Sequence, residues 1–340
     1  MKKLLNVLYI ITENSYLHCE NNTICVKIGG ADKVRIPAHT IESIICLCNT
    51  TVSTPFIGFC GENGISLSFH SGNGKFYGRI YGAVNGNVLL RRKQYGIIGK
   101  SDSVEIVRNI LRGKIINSKN TLMRAARGTS NDEENSLRKA AYLLEEQLLL
   151  LETADTIDSM RGIEGSAASI YFRVFDHMMK TEDNEMLFEK RSRRPPENRT
   201  NALLSFVYML LKNDVQSALE SVGIDPAAGY LHTLRPGRPS MALDLMEELR
   251  SPLCDRFVIS LINLKQIKSD CFIVDGGVFN LKDDVRKLVI KEWQTRKKET
   301  ITHPFLKEKI SIGLIPYCQA LLLARYLRGD TDGYPPFIWR

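Results

Sequence analysis

The chain has 340 residues, 44% of them apolar, with a net charge of +8 and a pI near 9.0. That length exceeds the needs of one domain and the apolar share supports sizeable cores. No stretch approaches the ~20 apolar residues of a membrane span, which excludes a helical membrane class, and the basic balance leans towards an anionic partner.

The N-terminus, Met1-Lys-Lys-Leu-Leu-Asn-Val-Leu-Tyr-Ile-Ile, mimics a signal peptide. Its apolar run is short, is broken by Asn6 and lacks a small-residue cleavage site, so a first strand is the better reading. Residues 4–10, 16–19, 23–28, 33–36, 43–47 and 65–69 are short runs rich in β-branched and aromatic residues. Turn signals such as Glu20-Asn-Asn and Gly29-Gly-Ala-Asp separate them, and residues 53–63 read as a short helix between two strands. Gly72-Asn-Gly-Lys75 reads as a turn. This predicts a β-rich domain over residues 1–84, a small sheet or sandwich.

Around Gly82-Ala-Val-Asn-Gly86 the apolar period changes to about 3.6. Residues 103–127, 134–155, 165–179, 201–222, 240–264 and 283–295 read as helices, so residues 85–340 are predicted to form a larger all-α domain and the fold class is α+β. The N-terminal block carries 7 basic and 5 acidic residues and the remainder 39 and 33, which places 39 − 33 = +6 of the +8 on the helical part. Arg191-Ser-Arg-Arg-Pro-Pro-Glu cannot continue a helix through its two prolines and is read as a loop carrying Arg191, Arg193 and Arg194. The tail after Asp330, with Pro335-Pro336, reads as extended.

The eight cysteines, at 19, 25, 46, 48, 60, 254, 271 and 318, form no Cys-x-x-Cys. They read as reduced thiols of a cytoplasmic protein rather than a zinc site. His18, His39, His70, His177 and His303 have no ligand partners in sequence. Gly99-Lys100-Ser101 resembles the end of a phosphate-binding loop, but Gln94 stands where its first glycine is needed, so nucleotide hydrolysis is not expected.

The chemistry concentrates in Gly229-Tyr-Leu-His232-Thr-Leu-Arg-Pro-Gly-Arg-Pro-Ser-Met-Ala-Leu-Asp244-Leu-Met-Glu247-Glu248. Ser240 is the predicted N-cap, with Leu245, Met246 and Leu249 on the buried side and Asp244, Glu247 and Glu248 on the other. Alone, the helix is most simply a solvated acidic face, with Asp244 complementing the helix dipole. The Pro- and Gly-rich loop can fold His232 back over those acids, and imidazole with carboxylates suits manganese or magnesium. Glu164, in Arg161-Gly-Ile-Glu-Gly-Ser-Ala-Ala, is a further candidate, expected near a helix start. Spacing cannot show that it meets His232.

Taken in order, these segments resemble the CRISPR-associated Cas1 adaptation integrase family, of the type I-C sort, over essentially the whole chain. The resemblance rests on Ser66-Leu-Ser-Phe69, Asn85-Gly-Asn-Val-Leu-Leu-Arg-Arg92, Arg161-Gly-Ile-Glu164-Gly, Arg194-Pro-Pro-Glu-Asn198-Arg-Thr-Asn201, Asp225-Pro-Ala-Ala-Gly229-Tyr-Leu-His232, Arg238-Pro-Ser-Met-Ala-Leu-Asp244-Leu-Met-Glu247 and Tyr334-Pro-Pro-Phe-Ile-Trp-Arg340. It implies that Glu164, His232 and Glu247 bind the divalent metal, Mg2+ or Mn2+, with Asp244 in a supporting role, and Glu248 is then read as left to solvent. It further implies a metal-dependent DNA endonuclease and integrase that inserts short DNA spacers into a CRISPR array. The family assembles as a homodimer through its β domains, bridged by the small partner Cas2. Arg191, Arg194 and Arg238 are the expected phosphate contacts. The alternative is a non-catalytic helical DNA-binding scaffold whose acids serve only folding.

Overall fold

The structure, a computed structural model, describes residues 6–72, 76–80, 82, 88–128, 131–192 and 195–339. Strands β1 (Asn6–Ile10), β2 (Ser15–Glu20), β3 (Thr23–Ile28), β4 (Ala31–Pro37), β5 (Ile41–Cys46) and β6 (Thr50–Val52) precede helix α1 (Thr54–Glu62), and β7 (Ser66–His70) and β8 (Phe76–Ile80) follow it. Helices α2 (Val88–Gly96), α3 (Ser101–Ala126), α4 (Asn131–Glu152), α5 (Ile157–Arg173), α6 (Arg199–Ser221), α7 (Ser240–Leu249) and α8 (Arg256–Asn263) come next. The hairpin β9 (Phe272–Asp275) and β10 (Val278–Leu281), helix α9 (Asp283–Lys298), the hairpin β11 (Thr300–Thr302) and β12 (Lys309–Ser311), and α10 (Ile315–Arg328) complete the order.

The chain divides into two compact units. One is Met1–Asn85 with Lys282–Glu299, and the other is Gly86–Leu281 with Thr300–Arg340. Thus α9, expected in the helical domain, groups with the N-terminal strands, where Gln294 Nε2 donates to the Tyr9 hydroxyl at 3.4 Å.

The first unit holds two four-stranded sheets, ordered β1-β5-β7-β8 and β4-β3-β2-β6. The turns that set the second sheet's register were readable. Asn21 and Asn22 have φ of 45° and 59°, and Gly29 and Gly30 have 61° and 83°. Both pairs close two-residue hairpins, between Glu20 and Thr23 and between Ile28 and Ala31. Such turns need positive φ at both central positions, which Asn and Gly tolerate. Alternation then sends Leu17, Ile24 and Val26 into a core shared with Ile44, Phe56 and Leu67. Ser53 caps α1 by accepting from the Phe56 amide at 3.2 Å. The sequence missed β6 and β8. Residues 4–5, 73–75 and 83–87, parts of the predicted first strand, turn and domain switch, lie outside the described residues.

In the second unit α3 packs against α4, α5 and α7. The predicted helix over 165–179 begins earlier, because the Thr156 hydroxyl accepts from the Ser159 amide at 3.2 Å and starts α5 there. Glu164 therefore lies inside the helix. The predicted helix over 240–264 is interrupted by a π-helical segment, Arg250–Asp255. Pro252 has no amide to offer the Glu248 carbonyl four residues back, and its ring crowds that carbonyl. Asn117 of α3 supplies the missing donor, with Nδ2 2.8 Å from the Glu248 oxygen. Helices α2 and α10 and the two hairpins were not predicted. They were hidden by short, mixed stretches without a clear period.

The C-terminal tail is extended and docked. Asn117 Nδ2 also donates to the Phe337 carbonyl at 2.7 Å, and Trp339 N donates back to Asn117 Oδ1 at 2.8 Å. Tyr334 and Phe337 are buried. Glu248, expected in solvent, is fully buried beneath them. It accepts from the Tyr334 hydroxyl, from Gln319 Nε2 at 2.9 Å and from Phe337 N at 2.9 Å. Burial pushes its carboxyl up to about 8, against the hydrogen bonds that favour the anion. The folded state therefore holds a proton here that the unfolded chain has released. We expect this group's contribution to stability to decline as pH rises from about 4.5 to about 8. Melting temperatures of the wild type and Glu248→Gln across that range should show a shallower slope in the variant. Parallel slopes would contradict the assignment.

Candidate functional site

Helix α7 begins without a side-chain cap: Pro239 holds the N-cap position, and Ser240, the predicted cap, donates instead to the Thr233 carbonyl at 3.3 Å. The orphan amides of the first turn find another acceptor. The Pro226 carbonyl takes Met241 N at 2.9 Å and Ala242 N at 3.3 Å. The loop before the helix is thereby laid across its start. Gly229 is the closest approach. A Cβ there would meet the Ser240 backbone carbon at 2.6 Å and Asp244 Oδ2 at 2.7 Å.

Asp244 fixes this loop. Its Oδ2 accepts from Tyr230 N at 2.6 Å and Leu231 N at 2.9 Å, and its Oδ1 accepts from His232 N at 2.9 Å. The same Oδ1 stands 2.7 Å from His232 Nδ1. An ionised carboxylate only accepts, so Nδ1 carries a proton, and the neutral ring that a metal would bind offers its lone pair at Nε2. Nε2 faces Glu247 Oε1 at 3.7 Å. Asp244 is thus no solvated dipole complement: it is fully buried, as is Glu247.

Two side chains outside the predicted site residues brace the loop. Gln94 of α2 donates to the Asp225 and Ala228 carbonyls at 2.8 and 2.9 Å and accepts from Asp225 N at 2.9 Å. Arg161 of α5 donates to the Leu231 carbonyl at 2.7 Å. Arg161 lies one turn before Glu164, so one helix holds both the loop and the third candidate ligand.

Glu164 and Glu247 do converge, through Lys114 of α3. Its ammonium contacts Glu164 Oε1 and lies 2.7 Å from Glu247 Oε2. Arg250 Nη2 is 2.9 Å from Glu247 Oε1. Burial alone would raise the Glu247 carboxyl, but Arg250, Lys114 and His232 outweigh it and hold the group well below the usual carboxylate range. Arg250 is itself stacked 5.2 Å over the Tyr208 ring, whose hydroxyl donates to the buried Asp255 at 2.6 Å. Lys114 and Arg250 were missed because a lone cation on a helix normally reads as a solvated residue.

The three candidate ligands are not drawn within 4.8 Å of one another, since among the described residues only a different group meets that spacing. The ammonium between the two carboxylates nevertheless marks a point at which both acids neutralise one cation. The donor set of two carboxylates and one imidazole nitrogen fits a hard or borderline divalent ion.

The candidate phosphate contacts divide. Arg191 points inward, donating to Asn201 Oδ1 at 2.7 Å and Ser205 Oγ at 3.2 Å and lying 5.3 Å over the Tyr208 ring. Arg238 makes a long contact, 3.5 Å, to the Thr233 carbonyl of its own loop. Arg194, with Arg193, lies outside the described residues.

Residues 8–295 match the family model described as CRISPR associated protein Cas1. A CRISPR-associated endonuclease Cas1 of Chlorobaculum tepidum is 46% identical over 343 residues, covering 100% of both chains. Among solved structures, a casposase bound to its integration product superposes with a TM-score of 0.83 at 19% identity, covering 99% of this chain and 95% of that one. A Cas6-RT-Cas1–Cas2 complex gives 0.84 at 21% identity, covering 100% of this chain and 36% of that one. The two structural likenesses establish a shared fold, and the family match with the close relative establishes membership: the chain belongs to the CRISPR-associated Cas1 family.

Proposed function

We propose that this protein is a divalent-metal-dependent DNA endonuclease and integrase of CRISPR adaptation, in which Glu164, His232 and Glu247 hold Mg2+ or Mn2+. The observation that carries this reading is the Asp244–His232 contact at 2.7 Å, which leaves Nε2 directed at Glu247. A carboxylate that fixes the tautomer of a ligating histidine is the usual support of such a site. The bound ion supplies neutralisation of charge on the phosphodiester and a lower pKa for the attacking or leaving oxygen.

The chain's own residues do the rest. Asp244 holds the imidazole in register, Arg161 and Gln94 hold its loop, and Arg250 keeps Glu247 ionised. Lys114 holds Glu164 and Glu247 together at the place where the two carboxylates would hold a divalent ion. In spacer insertion a DNA 3′-hydroxyl attacks a phosphodiester and another 3′-hydroxyl leaves. One bond of each kind is made and broken, so no nucleotide fuel is required. Gln94, the residue that spoils the phosphate-binding loop, serves as the clamp of the histidine loop.

The assembly follows the same reading: a homodimer through the strand-rich unit, residues 1–84 in the sequence-based division, with Cas2 bridging two dimers. The Cas6-RT-Cas1–Cas2 complex of like fold contains Cas2, which supports the Cas2 partnership. The type I-C assignment rests on the order of sequence motifs from Ser66 to Arg340. A cytoplasmic home is supported by eight free cysteines. No helix among the described residues is long and apolar enough to cross a membrane. Arg194 and Arg238 remain the candidate phosphate contacts, while Arg191 supports the fold. The scaffold reading draws on Lys114, which already neutralises both acids, and it requires DNA binding that is indifferent to metal.

Glu164→Ala, His232→Ala and Glu247→Ala are each expected to abolish Mn2+-dependent nicking and joining with the fold retained. Asp244→Asn is expected to reduce metal affinity or activity by about 10–100-fold. Normal joining by a folded His232→Ala protein would overturn the ligand assignment, and binding without any metal-dependent chemistry in the wild type would favour the scaffold.

Lys114→Met removes the cation that the two carboxylates share, leaving Glu247 with Arg250, at a cost of up to about 3 kcal/mol. The metal-free variant should melt lower than the wild type, and Mn2+ should raise its melting temperature by more than it raises that of the wild type. An equal or smaller rise would contradict replacement of the ammonium by the ion.

A further inference from the structure

The sheet β4-β3-β2-β6 carries a second cluster of ligand-type side chains that shares no residue with the site above. Alternation commits Leu17, Ile24 and Val26 to the core, so His18, Glu20 and Cys25 project from the opposite face. His18 and Cys25 are direct cross-strand partners, and β4 pairs Asp32 with Lys27 and Arg35 with Cys25. Spacing along the chain left His18 without partners and Cys25 as an isolated thiol. The two hairpins bring them together.

One donor atom from each of His18, Glu20, Cys25 and Asp32 lies within 4.8 Å of the others. His18 Nε2 is 3.9 Å from Glu20 Oε1 and 3.8 Å from Asp32 Oδ1. Those separations are too long for hydrogen bonds. They are slightly longer than the edges of a tetrahedral ion, whose bonds of about 2.0–2.3 Å set neighbouring ligands about 3.3–3.8 Å apart. A small side-chain contraction would close the remaining edges.

A second observation is independent of the spacing. Both ring nitrogens of His18 and Asp32 Oδ1 are buried without a hydrogen-bond partner among the described residues. Native interiors rarely leave such atoms unsatisfied. Meanwhile Arg35 Nη2 donates to Glu20 Oε2 at 3.0 Å and to Asp32 Oδ2 at 2.7 Å. It occupies one oxygen of each carboxylate and leaves Oε1 and Oδ1 turned towards His18, as outer-shell groups orient metal ligands. Lys27 Nζ lies 4.0 Å from Asp32 Oδ1.

We propose that His18, Glu20, Cys25 and Asp32 form a binding site for a divalent transition ion of the zinc class, which ties β2, β3 and β4 together. A thiolate and an imidazole with two carboxylates favour zinc or cobalt over magnesium or manganese. On binding, the Cys25 S–H bond gives way to a sulfur–metal bond and the proton goes to solvent, so affinity rises with pH.

The test uses full-length protein stripped with chelator, as wild type and as His232→Ala, so that the candidate catalytic histidine cannot supply the signal. Cobalt(II) alone is titrated in, followed by zinc competition. A thiolate-to-cobalt charge-transfer band at one equivalent is expected in both proteins, displaced by zinc and lost in Cys25→Ser and in His18→Gln. Circular dichroism verifies that each variant is folded. Zinc should also raise the melting temperature of the His232→Ala protein but not of Cys25→Ser or His18→Gln. Absence of the band, or its survival in folded Cys25→Ser, overturns the site. Neither result bears on the proposed catalytic ligands, which the nicking assay tests separately.

Discussion

The buried carboxylate of Asp244 is the interaction on which the candidate site depends. One side chain accepts three consecutive backbone amides, from Tyr230, Leu231 and His232, and also orders the imidazole. Burying a charge is costly unless it is fully hydrogen-bonded. Here the partners meet that cost and position the loop at the same time. The close approach that makes this possible needs Gly229, because any Cβ would strike the α7 backbone. The histidine is therefore positioned by the fold of the loop rather than by its own packing.

Around that anchor the electrostatics form a graded series of acids on one helix. Asp244 is bound by amides, Glu247 by cations, and Glu248 by a phenol, an amide side chain and the tail backbone. The first is structural, and the second is kept ionised in a buried place by Arg250 and Lys114. The third sits without a cation among its bonding partners and is pushed up by burial. Three acids within five positions thus have three distinct physical roles, set by what each meets on neighbouring helices.

That contrast explains what the sequence could convey. The hairpin turns at Asn21-Asn22 and Gly29-Gly30 were legible because local backbone chemistry dictates them. Most of the long helices were legible through their period. The Thr156 cap starts α5 two turns before the predicted position. Asn198, which accepts from the Asn201 amide at 2.8 Å, starts α6 slightly early, and Pro252 broke a helix that periodicity carried through. Glu248 was misread because helical periodicity assumes a solvent side, whereas α7 is covered all round, by α3 and the C-terminal tail among others. His232 and Asp244 could be suspected of meeting. Lys114, 50 residues before Glu164 in the chain, could not, since its role depends on how α3, α5 and α7 pack. The cluster on β2, β3 and β4 was hidden for the same reason: its members are ordinary residues until register places them side by side.

Glu164 and Glu247 share the Lys114 ammonium, and with His232 they are the proposed ligands of one divalent ion. A crystal structure of the protein grown with Mn2+, with the ion located by its anomalous scattering, addresses this directly. The expected result is an ion bonded to a carboxylate oxygen of Glu164, to Nε2 of His232 and to a carboxylate oxygen of Glu247, with the Lys114 ammonium moved away. A manganese site elsewhere, or Lys114 still bridging Glu164 and Glu247 at saturating Mn2+, would contradict it.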